Sequence, residues 1–240
     1  MINSLILAIA ALLYAISVYI DVFVWHFRYY SYHNENNRYL ISLSNILQYS
    51  ARGFILIYAP IMAFFTEKFQ DKSMIFWTTI LAHFFVILLV YSTLSTKLSS
   101  TLSHMALKFL NFYKIPIETT SIVNANINKV KETKIASRQQ TKHFFLIIST
   151  LASFLFATGG SMIYYFSFHF PNRILFMTSQ SQIINMMGTL AFVLFIDPTI
   201  SKALDANKGF WEIKKYSISR IIAHSLMIVG LLLINFFKVI

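Results

Sequence analysis

Apolar and polar positions divide the chain into six long apolar stretches with polar segments between them: Ser4 to Trp25, Tyr39 to Phe65, Met74 to Leu94, Phe144 to Phe166, Ile174 to Ile196 and Ile218 to Phe237. Each is continuous rather than alternating. Each also reaches the roughly 20 residues that a helix rising about 1.5 Å per residue needs to cross about 30 Å of hydrocarbon. An outer-membrane barrel would instead show segments of about ten residues with alternating character. The pattern predicts an all-α integral membrane protein with six transmembrane helices. Residues 1–94 form a first three-helix half, 95–143 a basic cytoplasmic loop with an interfacial helix, and 144–240 a second three-helix half.

No Lys or Arg precedes Arg28, so the first stretch lacks the positive flank of a cleaved secretion signal and is expected to remain in the mature protein. Loops 26–38, 95–143 and the one before the last span hold fourteen of the 20 lysines and arginines, and the opposite side holds four. Short basic loops stay in the cytoplasm, so both termini are expected outside. The net charge of +11 then reflects topology signalling and attraction to anionic membrane lipids, and no nucleic-acid partner is expected. In the central loop Leu98, Leu102, Met105, Phe109 and Phe112 recur at helical spacing, which predicts a helix lying in the inner interface. Pro116 ends it, and Ile122 to Lys142 is expected to lead helically into the fourth span.

The composition, 57% apolar and 12% charged, excludes an ordinary soluble domain. With no cysteine, disulfides, iron–sulfur clusters and thiolate zinc sites are excluded too. The six glycines form neither a phosphate-binding loop nor a dinucleotide fingerprint. The seven histidines never fall into H-x-x-x-H or H-E-x-x-H, and neither an aspartate-rich D-D-x-x-D nor a G-x-S-x-G elbow occurs. No cofactor, metal or enzyme chemistry is expected. His83 and His224 read as polar packing residues, with a proton relay as the alternative, and Gly159-Gly160 as a close helix contact.

Polar positions inside the spans carry the candidate chemistry. Asn45, Gln48 and Arg52 lie on one face of the second span, and Gln182, Asn185 and Thr189 repeat that spacing in the fifth, 137 residues later. Two readings are open. An odd number of crossings in each half would make such a repeat inverted, as in many secondary transporters. Alternatively, both stripes only glue neighbouring helices together. Arg52 lies 13 residues into its span, about 20 Å deep at about 1.5 Å per residue. An arginine there costs about 2.5–3.5 kcal/mol on insertion scales, so it needs compensation. Asp21, Arg28, Asp197 and Arg220 fall toward the cytoplasmic ends of their helices, which predicts a polar vestibule with Arg52 deeper in. A structural alternative pairs Asp21 with an arginine and Asp197 with Arg220. The planar fork of arginine suits a phosphate.

Three motifs carry a resemblance: Asp21 to Arg28, Asn45 to Arg52 followed by Ala59-Pro60, and Ser179 to Asn185 followed by Phe195-Ile196-Asp197-Pro198, with Arg220 opening the last helix. In order and spacing they resemble the Amj proteins, the alternative lipid II flippases of bacteria. Asp21 stands where that family has glutamate and Ala51 where it has serine, and Ser31 to Asn37 is more polar than the family's loop. The resemblance implies a multi-pass protein of the bacterial cell (inner) membrane that moves a polyprenyl-pyrophosphate-linked glycolipid, lipid II, from inner to outer leaflet for peptidoglycan synthesis, with cell-wall synthesis proteins as further partners. On that reading Arg28, Arg52, Arg220, Asn45, Gln48, Gln182 and Asn185 bind substrate, and Asp21 and Asp197 hold the arginines or carry a coupling proton. The rival expectations are an integral-membrane enzyme or a scaffold acting on polyprenyl-linked cell-wall lipids.

Overall fold

The computed structural model describes residues 2–31, 37–69, 71–111, 143–168, 174–206 and 209–237. Among these there is no strand. Helix α1 spans Ile2–Ser31, α2 Asn37–Phe69, α3 Lys72–Thr93 and α4 Thr96–Asn111. Helix α5, His143–Ala157, continues through a π-turn at Thr158–Met162 into α6, Ile163–Ser167. Helix α7, Ile174–Ala191, continues through a second π-turn at Phe192–Ile196 into α8, Asp197–Asp205, and α9 spans Phe210–Phe236. Six of the resulting rods are long and apolar enough to cross a membrane: Ile2–Tyr30, Ile41–Phe69, Lys72–Thr93, His143–Ser167, Ser179–Asp205 and Phe210–Phe236. This is the all-α membrane fold that the apolar stretches predict.

Local chemistry sets several element ends. Asp71 caps α3 by accepting a 3.0 Å hydrogen bond from the Met74 amide, which satisfies one of the free donors of the first turn. Pro60 and Pro198 are accommodated differently. A proline inside a helix removes one backbone bond and crowds the carbonyl four residues earlier. Pro198 follows the wide π-turn at Phe192–Ile196 and stands in the first turn of α8, whereas Pro60 lies within the uninterrupted α2. Helix α1 runs to Ser31, past the apolar stretch that ends at Trp25, so the loop after it is shorter than 26–38 and Arg28 lies at the end of its helix, as expected.

Packing follows one rule in both groups of three spans. The first rod of each bridges the other two: α1 lies along α2 and α3, and α5 lies along α7 and α9. Helices α3 and α9 join the groups, whereas α2 and α7 share no extended contact. The outside of the bundle is apolar, with Leu56, Phe84, Leu88, Leu151, Met187, Leu194 and Leu233 exposed, and serine, threonine and histidine are enclosed. That distribution suits hydrocarbon as the surrounding medium, since soluble proteins rarely expose apolar patches of more than a few hundred square ångströms. Helix α4 docks Ser99, Ser103 and Leu107 inward, Leu107 joining Phe23, Phe27 and Leu43, and turns Leu98, Met105 and Phe109 outward. Phe112, Pro116 and the expected helical lead from Ile122 to Lys142 lie outside the described residues.

Candidate functional site

Helices α1 and α2 run antiparallel, and Arg28 fixes their register near the end that carries the basic loops. Its Nε donates to Ser44 Oγ and its Nη2 to Asn45 Oδ1, both at 2.8 Å, while the guanidinium covers the Trp25 ring at 4.6 Å. Seven residues, two helical turns, further from that contact on each helix, Asp21 comes level with Arg52. Another seven residues along α1 lead to Tyr14, which packs on Tyr58 of α2 at 5.1 Å between ring centroids.

Asp21 is half-buried between two cations, within electrostatic reach of Arg220 on α9 and of Arg52 on α2. It makes no hydrogen bond or close ion pair with another described residue. Asp197 accepts a 3.2 Å hydrogen bond from Ser201 and senses the charge of Arg28. Asp21 is thus coupled to arginines, Arg220 and Arg52, as the structural alternative has it, whereas Asp197 is coupled to Arg28 rather than to Arg220. The physical reason is the contact of α1 with α9, seen also where His26 Nε2 lies 3.0 Å from Ser217 Oγ.

Arg220 departs from its expected place at the mouth of a vestibule. It is only 4% exposed, donates from Nε and Nη2 to the Tyr216 hydroxyl at 3.0 and 2.6 Å, and sits against the rings of Phe156 and Tyr216. In this conformation it acts on Asp21 and the enclosed aromatic groups, and a lipid head cannot reach it. Arg52 differs. It is exposed, and its guanidinium lies 5.4 Å from the ring centre of Tyr49, one turn earlier on α2.

The face of α2 that carries Arg52 is continuous. Asn45, Gln48, Arg52, Ile55, Ala59, Ala63 and Thr66 follow one another at steps of three or four residues, so they share one side of the helix. The far half of this face lines a partly open cavity of about 290 Å³ between α2 and α7, floored by the π-turn at Thr158–Met162. Gln182 and Asn185, expected from the sequence, line it together with Ser181, Thr66, Glu67 and Tyr164. Among the described lining residues Glu67 is the only ionisable carboxylate or base, and none is an arginine or lysine. Along this face of the bundle Arg28 and Arg52 thus lie toward the basic-loop end, and the amides and hydroxyls of the cavity toward the other.

The floor is close-packed. A Cβ built on Gly159 would meet Asn185 Oδ1 at 2.5 Å and the Ser181 carbonyl oxygen at 2.9 Å, so only glycine lets α7 approach this far. Ser181 donates its hydroxyl to the Gly159 carbonyl. Gly160 faces the Tyr14 ring, its virtual Cβ 3.5 Å from Cε2.

Beyond the floor lies a group that sequence spacing does not reveal. His83 of α3 and His224 of α9, both fully enclosed, face each other with Nδ1 atoms 2.7 Å apart. Ser161 Oγ donates to the Ala157 carbonyl at 2.7 Å and lies 3.0 Å from His83 Nε2. Tyr14 presents its ring at steep angles to both imidazoles, at 5.7 and 6.2 Å. The two histidines are 141 residues apart. Their only sequence signal is that each stands in the middle of an apolar span.

No protein-family model, curated protein or solved structure matches this chain.

Proposed function

We propose that the chain is a flippase for a polyprenyl-pyrophosphate-linked glycolipid, lipid II of the bacterial cell wall, and that it carries the head from the inner to the outer leaflet of the cell membrane while the polyprenyl tail stays in lipid. One observation carries this reading. The Asn45–Gln48–Arg52 face of α2 is unpartnered by α7, holds an exposed arginine at mid-span and runs on into a cavity of amides and hydroxyls. An exposed cation in hydrocarbon is costly unless a counter-charge comes to it, and a pyrophosphate is such a charge. Arginine binds it through a planar fork whose charge persists at any accessible pH.

In this account the pyrophosphate passes Arg28 and then Arg52. Asn45 and Gln48 exchange hydrogen bonds with the head as it moves. Gln182, Asn185 and Ser181 receive sugar hydroxyls and peptide amides on the far side. A cavity of about 290 Å³ falls at the lower end of the roughly 300–1,000 Å³ of small-ligand sites, so it takes part of the head at a time. Arg220 serves by positioning: it sets the field around Asp21, which in turn faces Arg52. With the basic loops in the cytoplasm, an interior-negative potential drives the anion outward by about 2.3 kcal/mol per charge per 100 mV.

The test is complementation. In cells lacking every other lipid II flippase, the wild-type chain supports growth and Arg52→Ala does not. Growth on Arg52→Ala would remove the pathway as drawn. Reconstituted protein separates this reading from an integral-membrane enzyme or scaffold, because an enzyme changes the lipid's mass, a scaffold changes nothing, and a flippase changes only the leaflet.

A further inference from the structure

The enclosed histidines admit a narrower reading than packing. Ser161 Oγ bonds the Ala157 carbonyl and the Tyr14 hydroxyl as well as His83; with its own proton on the carbonyl it accepts from His83, whose proton then lies on Nε2. His83 Nδ1 is then a bare acceptor, and across 2.7 Å His224 Nδ1 must donate. That leaves His224 Nε2 as an acceptor with nothing to accept from, and it is a buried atom without a partner. With that placement the two rings are opposite tautomers and one buried proton position, on His224 Nε2, is vacant.

The same pair joins the two three-helix groups, since α3 and α9 make the most extended of the contacts between the halves. The π-turn links it to the cavity. Gly159 and the Ser181 hydroxyl bond face α7, Gly160 faces Tyr14, and Ser161 bonds His83, all within three consecutive residues. π-turns inside helices recur at functional sites because the widened turn can shift by one hydrogen bond.

We propose that His83 and His224 form a proton-binding latch between the halves, closed when both rings are neutral and opened when the pair takes up a proton; what the opening serves rests on the flippase reading. The proton comes from water and settles on the vacant His224 nitrogen, where no described carboxylate bonds to it. The groups facing the pair explain why the closed form rejects it. From α9, Arg220 stands one turn from His224, a like charge acting on that ring. From α1, Tyr14 presents its ring to both imidazoles and bonds Ser161 through its hydroxyl, backed by Tyr58 of α2 and, behind that, Tyr164 of α6. Asp21 and Tyr216 face Arg220, and the π-turn contributes only hydroxyls. A second proton on the paired Nδ1 atoms would set two donors against each other. A ligand that binds the open form and not the closed one shifts the population toward opening, and here that ligand is the proton.

The test uses spin labels on the full chain in nanodiscs. The native sequence has no cysteine, so Ser73→Cys and Asn235→Cys, exposed at the matching ends of α3 and α9, supply the only two labelling sites. Between pH 8 and pH 5 a longer-distance component is expected to grow at least twofold in the background with both histidines. The response should vanish in His224→Gln and in His83→Gln, either of which suffices if the other does not fold. An unchanged distance distribution across that range, or the same response in a histidine variant, overturns the latch. The readout needs no lipid substrate, so it can fail or succeed independently of the transport reading.

Discussion

Replacing Gly159 by alanine tests the packing that shapes the cavity floor. The added Cβ would sit 2.9 Å from the Ser181 carbonyl oxygen and 2.5 Å from Asn185 Oδ1. The Asn185 amide can rotate away, but the Ser181 oxygen belongs to the backbone of α7, so relief there requires the helix itself to move by about half an ångström. Such overpacking costs about 1–3 kcal/mol. Against it stands the gain of about 0.5–1 kcal/mol from replacing glycine by alanine in a helix. Gly230→Ala supplies the reference, because no atom lies within 4 Å of its virtual Cβ and only the gain applies. The propensity gain cancels between the two variants. Gly159→Ala is therefore expected to fall below Gly230→Ala by the overpacking cost, or about 2–12 °C at about 2–4 °C per kcal/mol. Adding Asn185→Ala should recover part of that loss and leave the share due to the Ser181 backbone. Thermal unfolding in one detergent measures all three. Equal midpoints for the two glycine variants would refute the close approach of α7 to the π-turn.

Arg52→Ala is expected to reduce lipid translocation at least tenfold while leaving the melting temperature nearly unchanged, because the side chain is exposed, its ring contact is with exposed Tyr49, and it acts on Asp21 only at a distance without a close ion pair; leaflet assays and thermal scans on one preparation check both. Arg28→Ala removes two hydrogen bonds from a cation and is expected to cost about 1–2 kcal/mol after allowance for partial exposure, seen as a lower unfolding midpoint. His224→Leu leaves His83 Nδ1 without a donor in a fully enclosed site, a loss of about 1–3 kcal/mol by the same measurement.

Much of the fold can be read from the spans, because hydrocarbon on the outside demands long, continuous apolar runs. Helix ends are less legible. The last span reads as beginning at Ile218, yet α9 begins at Phe210, since Glu212, Lys214 and Lys215 interrupt the apolar run while Ile213 and Tyr216 still turn inward. The first helix likewise runs on past its apolar stretch, which ends at Trp25, because Tyr29 and Tyr30 pack inside. At the site, Asn45, Gln48 and Arg52 are legible as one face because helical spacing is local. The depth at which Arg220 is enclosed is not, since it depends on Phe156 from another helix. Nor is the meeting of His83 with His224, which depends on α3 and α9 being neighbours. The cavity required knowing that α2 and α7 stand apart, a tertiary fact that no periodicity carries.

The most direct measurement reconstitutes the purified chain in liposomes with a fluorescent polyprenyl-pyrophosphate glycolipid and follows, by quenching from outside, which leaflet holds the label. The account predicts that the wild-type chain exchanges the lipid between leaflets without changing its mass, and that Arg52→Ala slows this at least tenfold. Label confined to its starting leaflet, or equal rates for the two proteins, would contradict it.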